Sequence, residues 1–243
     1  MNFFKKRPIE LHCYTCRADV YNYAPIQETP KIPRDWFKRN PTSSDRVSAK
    51  QCPSLRDTLK LGITLPLWSD LRLQISSLSD KEGWWKYQYS DKQSSMNSHF
   101  FDQMGQPEID KSYFCLKLES PWLFTCEEDI DFLYSGDQIE LLNYGFIQIM
   151  KGKINFKHQH ATNINTIVAK KESEQEFVLP FLFPLLNLIP LTERNVTVVN
   201  HLISDEHWVN LKASSVPSSF SHFYYKHKKL RQSKKPFVFT TED

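Results

Sequence analysis

The sequence predicts a mainly β protein. It reads as an antiparallel β-sandwich or jelly roll over residues 54–216, wrapped by a Pro-rich arm over residues 1–53 and closed by a helix and basic tail over residues 217–243. Three observations carry this expectation. Apolar and polar residues alternate in short runs such as Leu71-Arg72-Leu73-Gln74-Ile75 and Phe114-Cys115-Leu116-Lys117-Leu118, the period of a half-buried strand. Helical periodicity is scarce and sits near the ends. A chain of 243 residues, 40% hydrophobic and with seventeen Phe, ten Tyr and six Trp, has material for one large core but little room for two full-sized domains.

The elements follow in order. Prolines at 8, 25, 30, 33, 41 and 53 and polar runs such as Pro41-Thr42-Ser43-Ser44-Asp45-Arg46 mark the first 53 residues as wrapping loops with little regular structure. Ser54-Leu55-Arg56-Asp57 opens a short helix that Gly62 stops. Strands are expected at Leu71 to Ile75, Trp84 to Tyr89 and Phe114 to Leu118, with a polar loop from Ser90 to Asp110. Further strands are expected at Asp131 to Tyr134, Gly145 to Met150, Lys153 to His160, Asn163 to Ala169, Val196 to Leu202 and His207 to Lys212. The apolar run from Phe177 to Leu191 is cut by three prolines and reads as buried extended chain, too short and too interrupted for a membrane-spanning helix. At the far end Phe220, Phe223, Tyr224 and His227 fall on one side of a helix beginning near Ser218.

Charge bounds the partners. With 31 basic and 28 acidic residues the net charge is only +3, so any nucleic-acid contact must be local. The local field is in the tail, where Lys226, Lys228, Lys229, Arg231, Lys234 and Lys235 stand without a carboxylate among them. These six residues are expected to touch an acidic partner surface or a nucleic-acid backbone, unless the tail is simply solvated. Met1-Asn2-Phe3-Phe4-Lys5-Lys6-Arg7 lacks the apolar stretch of a secretory signal, and five cysteines suit reduced thiols, so the expectation is a cytoplasm, with no membrane contact. Cys13 and Cys16, with His12 and Cys52, offer four metal ligands on paper; incidental thiols are the weightier reading.

One stretch suggests chemistry. Gly152-Lys153-Ile154-Asn155-Phe156-Lys157-His158-Gln159-His160 puts two histidines two apart, and strand alternation would turn both to one face, a geometry that suits a divalent metal. His201 on a later strand supplies a third nitrogen. Core or hydrogen-bonded histidines are the competing and weightier reading. The Gly-x5-His-x-His spacing resembles the first part of the cupin signature, which implies iron, manganese or zinc held by His158 and His160. Where a cupin places Glu soon after the second His, this chain has Ala161-Thr162-Asn163-Ile164-Asn165. With six glycines in all there is no dinucleotide fingerprint, P-loop or nucleophile elbow.

A wider resemblance spans most of residues 20–205. Ile32-Pro33-Arg34-Asp35-Trp36-Phe37-Lys38, Lys50-Gln51-Cys52-Pro53, Gly62 to Asp70, Glu119-Ser120-Pro121-Trp122, His158 to Asn165 and Pro184-Leu185 look like an uncharacterised family of marine tailed phages. That resemblance implies a viral origin and one β-rich domain, and carries no functional residue. The first-ranked expectation is thus a non-catalytic phage protein that binds other subunits, in the virion or its assembly, and needs no cofactor. The rival is a cupin-like metal-dependent enzyme using His158 and His160.

Overall fold

The computed structural model describes residues 7–29, 53–54, 61–80, 83–99, 112–136, 141, 144 and 147–214. Its longest strand, β7 (Tyr113–Thr125), alternates Phe114, Leu116 and Leu118 inward and organises the largest sheet. On one edge of β7 lie β6 (Met96–Ser98) and, further along, β1 (Ile9–Thr15), which in turn pairs with β14 (Val196–Leu202). On its other edge come β11 (Ala161–Ala169) and β9 (Ile147–Ile149). All these pairs are antiparallel except β1/β14, which is parallel with Ile9 opposite Val196 and Thr15 opposite Leu202.

A five-stranded sheet has the order β10 (Gly152–Ile154), β8 (Phe132–Ser135), β13 (Pro184–Pro190), β3 (Ile63–Pro66), β2 (Gln27–Glu28). A three-stranded sheet has β12 (Gln175–Leu179), β4 (Leu71–Ile75) and β5 (Trp85–Tyr89). Both small sheets are antiparallel throughout. They are joined twice, because β3 runs on into β4 while its partner β12 runs on into β13. Leu67 and Phe183 hold that corner, with Leu67 N–H donating to the Phe183 carbonyl at 2.8 Å.

The large sheet packs its inner face on this bent second layer. Leu71, Leu73 and Leu179 from the second layer meet Leu116, Leu118 and Val168 from the first around a residual void of only about 10 Å³, the density expected of a well-filled core. At the other end Phe156 stands between Phe124 of β7 and Phe132 of β8, ring centroids 4.8 and 5.0 Å away, all three without solvent exposure. Burying each such ring is worth about 2 kcal/mol. The architecture is therefore mainly β, as expected, two-layered and built from sheets whose pairs are antiparallel apart from β1/β14, with a helix near its C-terminal side.

Several local expectations are corrected. The Pro-rich, irregular reading of residues 1–53 does not extend to residues 9–15: Ile9, Leu11 and Cys13 point into the core and β1 lies inside the large sheet. Residues 207–212 are not a strand but part of α2 (Asp205–Ala213), which follows α1 (Ala18–Tyr23). The Ser204 side chain caps α2 by accepting from the His207 amide, and Asp205 and Glu206 in the first turn with Lys212 in the last complement its dipole. The apolar run 177–191 is not uniformly buried: a turn separates β12 from β13, and Phe181 and Leu182 at its tip are 40% and 47% exposed. The Ser90 to Asp110 loop contains β6, whose Met96 is buried. Most of the short helix expected after Ser54, and the whole helix and tail of residues 217–243, lie outside the described residues.

Candidate functional site

The strand expected from Lys153 to His160 ends at Ile154. Asn155 stops it. Its side-chain carbonyl accepts from the Lys157 amide at 3.1 Å and its backbone carbonyl from the His158 and Gln159 amides at 3.1 and 3.0 Å, which winds residues 155–159 into a turn. Strand alternation therefore does not govern the two histidines. His158 is 2% exposed, with Nε2 3.7 Å from Asp129 Oδ1. His160 turns to α2, where Nδ1 donates to the Leu211 carbonyl at 3.1 Å, so that ring secures the helix.

His201 lies elsewhere, on β14. Its Nε2 is 3.0 Å from His12 Nδ1 and its ring stacks on Tyr14 with centroids 4.6 Å apart; Glu10 stands 3.4 Å from His12 Nε2. Burial and the adjacent His12 ring both lower the proton affinity of His201. The three proposed ligands are thus not brought together, and among the described residues no group of three or more His, Cys, Asp or Glu side chains is placed to hold a metal. Cys13 is sealed in the core and Cys16 lies on the surface of a cleft, so they do not act as a pair; Cys52 lies outside the described residues. Burial pushes both thiols up, that of Cys16 with help from a hydrogen bond to Asp205, and neither is poised as a thiolate nucleophile. Lys226, Lys228, Lys229, Arg231, Lys234 and Lys235 also lie outside the described residues.

The cleft beside Cys16 is the site that sequence reading missed. It encloses about 220 Å³ where five separate segments meet: the end of β1, the corner after β3, the loop between β5 and β6, the middle of β7, and α2. Its floor is a saturated hydrogen-bond network. The Ser94 hydroxyl donates to Asp91 Oδ2 at 2.7 Å and accepts from Trp68 Nε1 at 2.7 Å and from an Arg17 guanidinium N–H at 3.1 Å. Asp91 Oδ1 also accepts from the Gln93 and Ser94 amides at 2.8 and 2.6 Å. Arg17, with its side chain 10% exposed, pairs with Asp19 at 2.6 Å and Asp91 at 3.4 Å. The Arg17 hydrogen bond holds the Asp19 carboxyl below its ordinary range; burial would raise that of Asp91, but the Ser94 and Gln93 hydrogen bonds and Arg17 outweigh it.

At the side of the cleft Glu119 accepts from Ser95 Oγ at 3.0 Å and Asn97 Nδ2 at 2.9 Å, which fixes its carboxylate. Opposite, α2 contributes Trp208, with the Lys212 ammonium 4.9 Å from its ring centroid. No single stretch of sequence shows such a site, and the only local hint is Ser94-Ser95 beginning three residues after a turn-forming Asp91. No family model matches the chain, and no curated protein matches it.

Proposed function

We propose that the protein is a non-catalytic binding protein that docks on other protein subunits, in a tailed-phage particle or during its assembly. The observation that supports this reading is the turn between β12 and β13. Phe183 N–H donates to the Pro180 carbonyl at 3.0 Å, closing a turn in which Leu182 takes the third position with φ of 64°. That position favours Gly or Asn, and a branched apolar side chain there costs about 1 kcal/mol. The tip is nonetheless fixed: Asp70 Oδ1 accepts from the Phe181 amide at 2.7 Å and the Leu67 carbonyl from the Leu182 amide at 2.9 Å. Two large, half-exposed apolar side chains are carried on a tip whose backbone is fixed at a conformational cost, with Val178 on the adjoining strand 41% exposed. Apolar anchors on a preorganised backbone suit a protein interface, since little backbone freedom is lost on docking.

Particles and assembly intermediates purified from infected cells test the reading. The protein should be present, and a photo-crosslinking residue at Phe181 should join it to one defined subunit. Leu182→Gly removes an anchor and relieves the backbone, so it should weaken that association while leaving the unfolding midpoint unchanged or higher. Absence from both particles and intermediates removes the proposal.

A further inference from the structure

The seam between β1 and β14 carries an inference separate from subunit docking. Ile9, Leu11 and Cys13 turn into the core, so Glu10, His12 and Tyr14 share the outer face of β1. There two imidazoles from opposite ends of the chain meet: His12 Nδ1 and His201 Nε2 stand 3.0 Å apart, with ring centroids 5.2 Å apart. Tyr14 stacks on the His201 ring, and Glu10 Oε2 lies 3.4 Å from His12 Nε2. The carboxylate favours a proton on Nε2, which leaves the His12 Nδ1 lone pair facing His201. A carboxylate on the outer nitrogen of an imidazole is the arrangement that orients histidines toward metal ions. Both rings are partly exposed, so an ion reaches them without unfolding.

We propose that His12 and His201 chelate one divalent late transition-metal ion, copper or nickel ahead of zinc. Without the ion, a proton on His201 Nε2 fills the gap between the rings. Moving that proton to Nδ1 gives the other neutral tautomer and presents two lone pairs to the ion, with no net loss of a proton. Imidazole nitrogen selects copper, nickel and zinc over magnesium and calcium, which take oxygen ligands. Spacing selects within the first group. With metal–nitrogen bonds of about 2.0 Å, a separation of 3.0 Å closes an angle of roughly 95° at the ion. That is a cis pair of the square or octahedral complexes that copper(II) and nickel(II) form, whereas tetrahedral zinc asks for about 3.3 Å between the nitrogens. The rings meet nearly head-on, so side-chain rotation must tip both toward the ion while the register of β1 on β14 holds their backbones. Among the described residues no group of three or more His, Cys, Asp or Glu converges on an ion, so water completes the coordination. His158 and His160, the pair that the sequence singles out, take no part.

The test titrates the untagged full chain, stripped with chelator, by calorimetry with nickel, zinc and magnesium chlorides, and reads copper(II) binding by electron paramagnetic resonance. Nickel should bind at one ion per chain with Kd of about 10 µM, zinc more weakly and magnesium not at all. The copper spectrum should show two imidazole nitrogens on the ion. His12→Gln and His201→Asn should each weaken nickel binding by about tenfold or more and remove one nitrogen from the copper spectrum, whereas His207→Gln, on α2, should change neither. Glu10→Gln should weaken nickel binding by up to about tenfold while both nitrogens stay in the copper spectrum, the mark of a positioning residue. The parent's copper spectrum needs no substitution, so the proposal stays testable where a variant fails to fold. It is overturned if nickel shows no saturable binding of one ion, if zinc binds more tightly than nickel, if the copper spectrum lacks the two imidazole nitrogens, or if both histidine variants bind as the parent does.

Discussion

His12 Nδ1 and His201 Nε2 lie 3.0 Å apart across the parallel strands β1 and β14, although 189 residues separate them in sequence. At that distance one ring donates and the other accepts, so the contact exists only while one imidazole is neutral at the shared position. Burial and the His12 ring lower the proton affinity of His201 in the folded state. The unfolded chain therefore takes up a proton first as pH falls, and the contribution is present above the ordinary imidazole range near 6.5 and lost below it. Thermal unfolding followed between about pH 7.5 and 5.5 should show a falling midpoint, and His201→Asn should flatten that slope. Equal slopes in parent and variant would exclude the pair as its source.

Gly152 faces Tyr134 across β10 and β8, and a Cβ there would come within 2.2 Å of the Tyr134 ring. Gly152→Ala should destabilise the protein by about 1–3 kcal/mol, the cost of forcing an extra carbon into packed structure. Adding Tyr134→Ala should recover part of it. Urea unfolding of the single and double variants measures the coupling, and simple additivity would show that the clash is relieved elsewhere.

Asn155 is fully buried and donates through Nδ2 to Asp129 Oδ1 at 2.8 Å and Asp131 Oδ1 at 3.0 Å. Asn155→Asp replaces the donor with a third carboxylate, and the expected loss at pH 7 is about 2 kcal/mol or more. A protonated carboxyl can donate again, so the deficit should shrink toward pH 5. A deficit independent of pH would mean that the turn, rather than charge, is what fails.

The basic run is tested by changing Lys226, Lys228, Lys229, Arg231, Lys234 and Lys235 together to Gln. Association with nucleic acid or an acidic partner should fall and lose its salt dependence, while the melting temperature stays within a few degrees. A full-length protein with no salt-sensitive association at all would leave these residues as a solvated terminus.

What could be read in the sequence follows from where the causes lie. Leu71 to Ile75 and Val196 to Leu202 were legible to the residue, the first from strict alternation and the second from a β-branched run. Ile9, Leu11 and Cys13 carry the same alternation, but the prolines around them drew the reading toward loop. In His207 to Lys212 the Trp208, Val209 and Leu211 pattern suits a strand as well as a short helix; Ser204-Asp205-Glu206 ahead of it is the capping signal that decides. His158 and His160 were misplaced by one residue type, Asn155, whose side chain bends the chain before the alternation can continue. The cleft was illegible because Arg17, Trp68, Ser94, Glu119 and Trp208 are brought together only by the completed sheets.

The joining of β1 to β14 also sets an order of events during biosynthesis. A ribosome delivers residues 9–15 long before residues 196–202, so the outer backbone edge of β1 has no mate until nearly all of the intervening chain has emerged. Pairing over such a span is slow, because loop closure must precede any reward from the contact. An uncovered strand edge in the nascent chain invites mispairing with neighbouring chains on the same message. The edge of β1 is thus covered long after that strand is made, and yield in heterologous expression should depend on translation rate and chaperone supply more than on the stability of the finished protein.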